Sequence, residues 1–164
     1  MDGLDTPILD NHLHLDPDAG RGLDAVADFV HLPGRAWPVL GVHPGLVSRL
    51  VDDAGLAPAA AADLMCAGLD RAAEHVRRGD ALALKSGRPH YEVSDAVRAA
   101  SNEVMCHAFA LGAELDCAVQ LHTEATDDLT EVAAWAEERG LPAHRVVKHY
   151  AGGRLAGPTP SVMS

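Results

Sequence analysis

Short apolar stretches alternate with longer segments of helical spacing along the chain, and this alternation restricts its fold more than any other feature. Five stretches are predicted to be strands: Ile8–His14, Trp37–Val42, Ala81–Leu84, Cys117–Leu121 and Arg145–Lys148. Four segments are predicted to be helices: Leu23–Val30, Pro58–Arg78, Asp95–Leu111 and a segment from Asp127 or Asp128 to Glu138. The tail 151–164, which has three glycines and two prolines, is expected to be a loop. Strands joined by such helices predict parallel βαβ units and therefore an α/β protein.

Length and charge narrow the class of protein. A chain of 164 residues can form one domain with a hydrophobic core. No apolar run is long enough to span a bilayer and the first residues lack the basic region of a signal peptide, so we expect a cytoplasmic protein. The three cysteines are odd in number and far apart, which favours reduced thiols. The net charge of -11 would repel nucleic-acid phosphates unless a local basic or metal site offsets it.

Histidines follow the predicted strands. His12 and His14 are two residues apart on one strand, so both side chains point to the same face. Histidines also stand at or just after three other strands, and one more lies a few residues past a fifth: His43, His122, His149 and His90. In a parallel α/β barrel these strand ends converge on one rim, where active sites form. Imidazoles that converge there predict a site for a divalent metal ion.

Each of these residues also has a plainer interpretation. His12 and His14 are equally typical of a surface pair at a strand end, and His43, which precedes a proline, is typical of a turn. His90 and Tyr91 would then pack in a loop, and Arg88 would be a surface cation. Only two lysines occur, both at ends of predicted strands: Lys85 and Lys148. The Lys148 side chain should face away from His149, with its stem along apolar surface and its charge in water.

Taken in order, five motifs resemble those of the TatD-related metal-dependent hydrolases, and most closely the archaeal branch of that group within the amidohydrolase superfamily. The motifs are Asp10–His14, Gly41–Pro44, Ser86–Tyr91, Leu121–Thr123 and Lys148–His149, within a resemblance that runs from Pro7 to Gly153. The resemblance implies a TIM-type (β/α) barrel with the metal site at the carboxyl ends of its strands. It also implies metal ligands and substrate-binding residues: His12, His14, His122 and His149 for one or two ions of Zn, Mn, Ni or Fe, and His43, Arg88, His90 and Tyr91 for the substrate.

The chain differs from this family in the acidic residues expected at the metal site. Lys85 stands near the place of a bridging acid, where it would serve only if carboxylated or if it holds a phosphate; a structural lysine is the alternative. The resemblance implies a catalytic aspartate on the strand that follows His149, and we expect this chain to stop in the loop before that strand. By position, Asp16 and Glu124 are the nearest acidic substitutes, and we predict Lys85 and Glu124 as catalytic residues.

The chain also has too few strands. A complete barrel has eight strands and typically ~250 residues, and the connection from His14 to Trp37 is too short for the strand and helix that the family places there. We therefore expect one incomplete barrel domain over residues 1–164. Its exposed strand edges would favour association into a homo-oligomer.

The expected activity is hydrolysis of a small-molecule or nucleic-acid phosphoester by metal-activated water, with a deoxyribonuclease as one form of it. One alternative is a phosphatase that resembles the polymerase-and-histidinol-phosphatase group, which would prefer monoesters. The other is a non-catalytic remnant that binds metal weakly or only packs with a partner.

Overall fold

Five parallel strands form one sheet in the part of the chain that the computed structural model describes, which is residues 38–124, 126, 128–149 and 161–162. The strands are β1 (Val39–Gly41), β2 (Ala83–Gly87), β3 (Val119–His122), β4 (Val146–His149) and β5 (Ser161–Val162). They lie side by side in the order of the sequence, and each pairs in parallel with the next. The predicted strand Ile8–His14 and helix Leu23–Val30 lie outside the described residues.

Helices connect β1 to β2, β2 to β3 and β3 to β4. They are α1 (Gly45–Ser48), which continues as a π-helical turn over Arg49–Asp53, α2 (Pro58–Arg78), α3 (Asp95–Glu114) and α4 (Thr130–Glu138), and a 3₁₀ turn Ala143–Arg145 precedes β4. Parallel strands in sequential order belong to a (β/α) barrel, because a doubly wound sheet reverses its strand order. The predicted fold class, α/β with part of a TIM-type barrel, is confirmed. No helix in the described ranges is both long and apolar enough to cross a bilayer.

Local signals set the helix boundaries. Pro58 occupies the first turn of α2, where a missing N–H costs nothing, and Gly79 ends the helix in the left-handed region with φ of 78°. Ser94 begins α3 because its Oγ accepts a hydrogen bond from the Val97 backbone N–H at 3.3 Å. The predicted bounds of α2 are confirmed, and α3 runs three residues beyond its predicted end.

The strand boundaries differ more from the prediction. The predicted strand Ala81–Leu84 begins two residues later and continues to Gly87. The expectation that the tail is only a loop, and that the chain stops before another strand, was wrong at Ser161 and Val162, which form a strand paired with Lys148 and His149. The backbone partners that make this segment a strand come from β4, and no local pattern in the tail predicts that pairing.

The two faces of the sheet have different surroundings. Leu84, Val119 and Val146 lie in register on the face that the helices cover, where Phe109 of α3 belongs to the same buried core. Lys85 and Gln120 lie in register on the opposite face. The alternation of side chains along each strand therefore separates an apolar layer from a polar inner face.

The three cysteines are free thiols, as expected from their number and spacing. Cys117 is buried, whereas Cys66 and Cys106 are half-buried on α2 and α3. Burial raises the pKa of all three thiols, and that of Cys66 reaches about 11. They are therefore poor nucleophiles at neutral pH.

Candidate active site

Three histidines from adjacent strand ends form a continuous row, here called the imidazole row: His90, His122 and His149. The Nε2 atom of His122 lies 2.9 Å from Nδ1 of His90, and its Nδ1 atom lies 2.7 Å from Nε2 of His149. The ring of His43 is 4.9 Å from that of His122, centroid to centroid. The structure thus brings together four of the predicted site histidines, while His12 and His14 lie outside the described residues.

The two contacts of His122 restrict where its protons lie. A neutral imidazole has one nitrogen that donates and one that accepts, so a neutral His122 donates to one neighbour and accepts from the other. The hydrogen bonds then run in a single direction along the imidazole row. A protonated His122 would instead donate to both neighbours. The three rings are therefore joined in sequence by two hydrogen bonds.

Imidazole nitrogens suit a divalent metal ion, but the rings contact each other directly here. Two nitrogens that bind one tetrahedral zinc ion at 2.0–2.1 Å are about 3.3 Å apart, so the rings would have to separate by roughly half an ångström. Within the described ranges, no group of three or more His, Cys, Asp or Glu side chains is arranged to hold a metal ion. Imidazole nitrogens are suitable metal donors, but two of these rings would have to move apart before they could bind one ion.

Close approach of β2 to β3 brings the histidines together. Gly87, with φ of 152°, lies in register with His122, and a Cβ atom at this position would overlap the carbonyl oxygen of His122. The next residue, Arg88, donates its backbone N–H to the same carbonyl oxygen at 3.0 Å. Glycine is required here because any side chain would push the two strands apart.

Arg88 and Glu124 form a bidentate ion pair beside the imidazole row. The Nε atom of Arg88 donates to Oε2 of Glu124 at 2.8 Å, and Nη2 lies 2.5 Å from Oε1. Nη1 donates to Oδ1 of Asn102 at 3.4 Å, and the guanidinium carbon lies 5.8 Å from the centre of the Trp135 ring. Arg88 is thus not the exposed surface cation of the plainer interpretation, because its side chain is only 12% exposed.

The ion pair sets the protonation of Glu124. Burial alone would raise the pKa of this carboxyl. The hydrogen bond from Arg88 and the charges of Arg88 and Arg98 together lower it by more, so the pKa lies below its usual value. Glu124 is therefore ionised at neutral pH, and the same stabilisation makes it a weak base.

Lys148 reaches the same segment from β4. Its Nζ donates to Oγ1 of Thr123 at 2.8 Å and to the backbone carbonyl oxygen of Glu124 at 2.5 Å. The expectation that Lys148 extends its charge into water was wrong, because the side chain is fully buried on the helix-facing side of the sheet. Burial lowers the pKa of its ammonium group, and the charge of Glu124 opposes this shift.

The remaining predicted residues occupy different positions. Lys85 lies half-buried on the inner face, where burial lowers its pKa to about 8. The hydroxyl of the exposed Tyr91 lies 2.6 Å from Oγ of Ser48, and its ring meets His90 edge to face. His43 accepts the Gly45 backbone N–H at 3.2 Å on Nδ1, so it combines the turn contact with a place beside His122.

No pattern in the sequence predicts a role for Thr123 or the buried position of Lys148. Their positions in the sequence could have indicated a place in the site, because Thr123 directly follows one site histidine and Lys148 directly precedes another. The scarcity of lysine also marked Lys148, one of only two in the chain.

A family model and a known protein match most of this chain. The model of a family described as TatD related DNase matches residues 20–159, a range that includes the imidazole row. An uncharacterized protein of Methanocaldococcus jannaschii is 27% identical over 203 residues, which cover 96% of this chain and 72% of that protein. Since 164 residues cannot fill an alignment of 203, the relative contains residues inside the matched region that have no counterpart here. No solved structure matches the chain.

Proposed function

Because this chain belongs to the family of TatD-related DNases, we propose that it hydrolyses phosphodiester bonds with the help of a divalent metal ion. The observation that carries the proposal is the imidazole row, which collects histidines from three strand ends at one edge of a parallel sheet. In barrels of this type that edge holds the catalytic residues.

The metal ligands in this proposal are His12, His14, His122 and His149. These residues would hold a divalent ion, which would supply Lewis-acid chemistry by lowering the pKa of a water molecule and polarising the phosphoryl group. Zn, Mn, Ni or Fe would each suit histidine and oxygen ligands. The proposed substrate-binding residues are His43, Arg88, His90 and Tyr91, and His90 also contacts the ring of the proposed ligand His122.

Lys85 and Glu124 are the proposed catalytic residues. Lys85 faces the inner side of the sheet and has a pKa of about 8, so at neutral pH it presents a positive charge to a phosphate oxygen. Glu124 is ionised and can therefore accept a proton from the attacking water, but its pairing with Arg88 lowers its pKa and limits its strength as a base. The positive charge of Lys85 also offsets locally the net charge of -11, which would otherwise repel phosphodiesters.

The first prediction tests this function with the full chain, an activated phosphodiester, the matching monoester and a short single-stranded DNA, each with Zn, Mn, Ni or Fe. We expect diester hydrolysis, reduced roughly 100-fold or more in kcat/KM by His122→Ala because the central imidazole is lost. His144→Ala, in the turn before β4, is the matched control and should leave the rate unchanged.

Three results would contradict the proposal. Faster turnover of the monoester than of the diester would favour the phosphatase alternative. Less than one bound metal per chain, together with activity no greater than that of a His12→Ala, His14→Ala double variant, would favour the non-catalytic remnant. An unchanged rate in His122→Ala would remove the imidazole row from the reaction.

A further inference from the structure

A second row of side chains crosses the same three strand ends as the imidazole row. We call it the charged row: Arg88 from the segment after β2, Glu124 from the segment after β3, and Lys148 from β4. The imidazole row takes His90, His122 and His149 from the same three places. Each strand end therefore supplies one member to each row, and the two rows are covalently linked through the backbone at every strand.

Two cations of the charged row, Lys148 and Arg88, hold the residues that directly follow His122 in the sequence. Lys148 bonds to the side chain of Thr123 and to the backbone carbonyl of Glu124. Arg88 holds the carboxylate of Glu124 through two hydrogen bonds, and Arg98 lies 3.8 Å from the same carboxylate. Glu124 is thus fixed at its backbone by one cation and at its side chain by another.

Lys148 is the most deeply buried member of the charged row, so its charge depends most on its hydrogen-bond partners. Its side chain has no exposure to solvent, so its ammonium group depends on Thr123 and Glu124 for hydrogen bonds. A buried ammonium that loses one of these acceptors is strongly penalised, so the geometry of the three groups is tightly coupled. The backbone between His122 and Glu124 is part of that coupled unit.

We propose that Lys148 is a positioning residue, which acts through Thr123 and Glu124 to hold the His122 ring at the centre of the imidazole row. It fixes the backbone on the carboxyl side of His122, just as Gly87 and Arg88 fix its carbonyl group from the β2 side. The catalytic consequence of this role rests on the proposed function, but the positioning itself does not.

The second prediction uses nitrogen-proton correlation spectra of the histidine rings, recorded on the full chain without added metal, at a pH well above the usual histidine pKa of about 6.5. In the native chain we expect His122 to show one protonated and one unprotonated ring nitrogen, because its neighbours fix the tautomer. In Lys148→Met and in Thr123→Val the two nitrogen signals should move toward a common average, because the ring is no longer held.

A conservative variant separates positioning from general damage. Thr123→Ser keeps the hydroxyl that accepts from Lys148, so it should retain the native His122 signals, whereas the isosteric Thr123→Val should not. Arg77→Met removes a long cation from an exposed ion pair with Glu114 and should leave the His122 signals unchanged. If Lys148→Met does not fold, the comparison of the two Thr123 variants decides the question.

Metal affinity provides a second readout that is independent of turnover. Competition with a zinc chelator should show Zn²⁺ binding weakened by about 10-fold or more in Lys148→Met and Thr123→Val, and retained in Thr123→Ser. His122 signals and Zn²⁺ affinity that are native in both Lys148→Met and Thr123→Val would overturn the inference. A chain that hydrolyses nothing but shows the expected changes in the ring signals would contradict the proposed function and leave the positioning role supported.

Discussion

The two ends of the sheet contain similar residues in different surroundings. At the carboxyl end, Arg88 pairs with Glu124, and these side chains are 12% and 30% exposed. At the amino end, Arg77 near the end of α2 pairs with Glu114 at the end of α3, and these are 44% and 60% exposed. Each end also has a glycine with positive φ, Gly87 or Gly79. The same chemical groups therefore organise a site at one end and a solvated surface at the other.

The difference between the ends arises from desolvation. Water screens an exposed arginine–carboxylate pair, which contributes about 0–1 kcal/mol to stability. A pair that is largely removed from water costs more to form, and the loss of one partner leaves the other charge poorly solvated. The Arg88–Glu124 pair joins the segments that follow β2 and β3, so it can transmit a change at one strand end to the next, whereas the Arg77–Glu114 pair joins two helices.

The third prediction concerns the two glycines and has the largest expected effect. Gly87→Ala should destabilise the chain by roughly 3 kcal/mol or more, because the added Cβ would overlap the His122 carbonyl in addition to the strain of positive φ. Gly79→Ala should cost only about 1 kcal/mol, because its Cβ would meet open space. Urea unfolding of both variants measures the difference, and equal losses would show that the approach of β2 to β3 is not the constraint.

The fourth prediction compares the two ion pairs. Arg88→Met should cost roughly 2–4 kcal/mol, because Glu124 keeps a partly desolvated charge without its bidentate partner. Arg77→Met removes a cation of the same size from the exposed pair and should cost less than about 1 kcal/mol. The free energy of unfolding of each variant is measured at low and at high salt. Equal losses of stability in the two variants would show that desolvation does not cause the difference between the two ends.

The fifth prediction concerns Lys85 on the inner face and has the smallest expected effect. Burial lowers its pKa from 10.5 to about 8, so the unfolded chain binds the extra proton between these two values. The charged form is therefore disfavoured in the folded state below pH 8, and this cost is relieved as the pH rises from about 8 toward 10.5.

Lys85→Met should accordingly stabilise the chain by about 2 kcal/mol at neutral pH, with a gain that shrinks above pH 8. Arg71→Met, at an exposed position on α2, should change stability by less than about 0.5 kcal/mol at any of these pH values. A gain for Lys85→Met that does not depend on pH would show that burial of the charge is not its origin.

The sequence predicted the repeating part of the architecture. The helical spacing of Pro58–Arg78, with proline at its start and glycine after its end, was sufficient to give α2 its bounds. Strands were harder to bound, as β2 shows, because the residues that extend it to Gly87 are polar or lack a side chain. Their strand conformation depends on hydrogen bonds to β3, which no local pattern encodes.

The chemistry of the site divides in the same way. Its residue types and their positions after strands were visible in the sequence, since chain alternation and parallel pairing place those positions at one edge. The partners of each side chain were not visible. Tertiary structure decided that Lys148 is buried against Thr123 and that Arg88 faces Glu124, because burial and hydrogen-bond geometry depend on groups from three different strands.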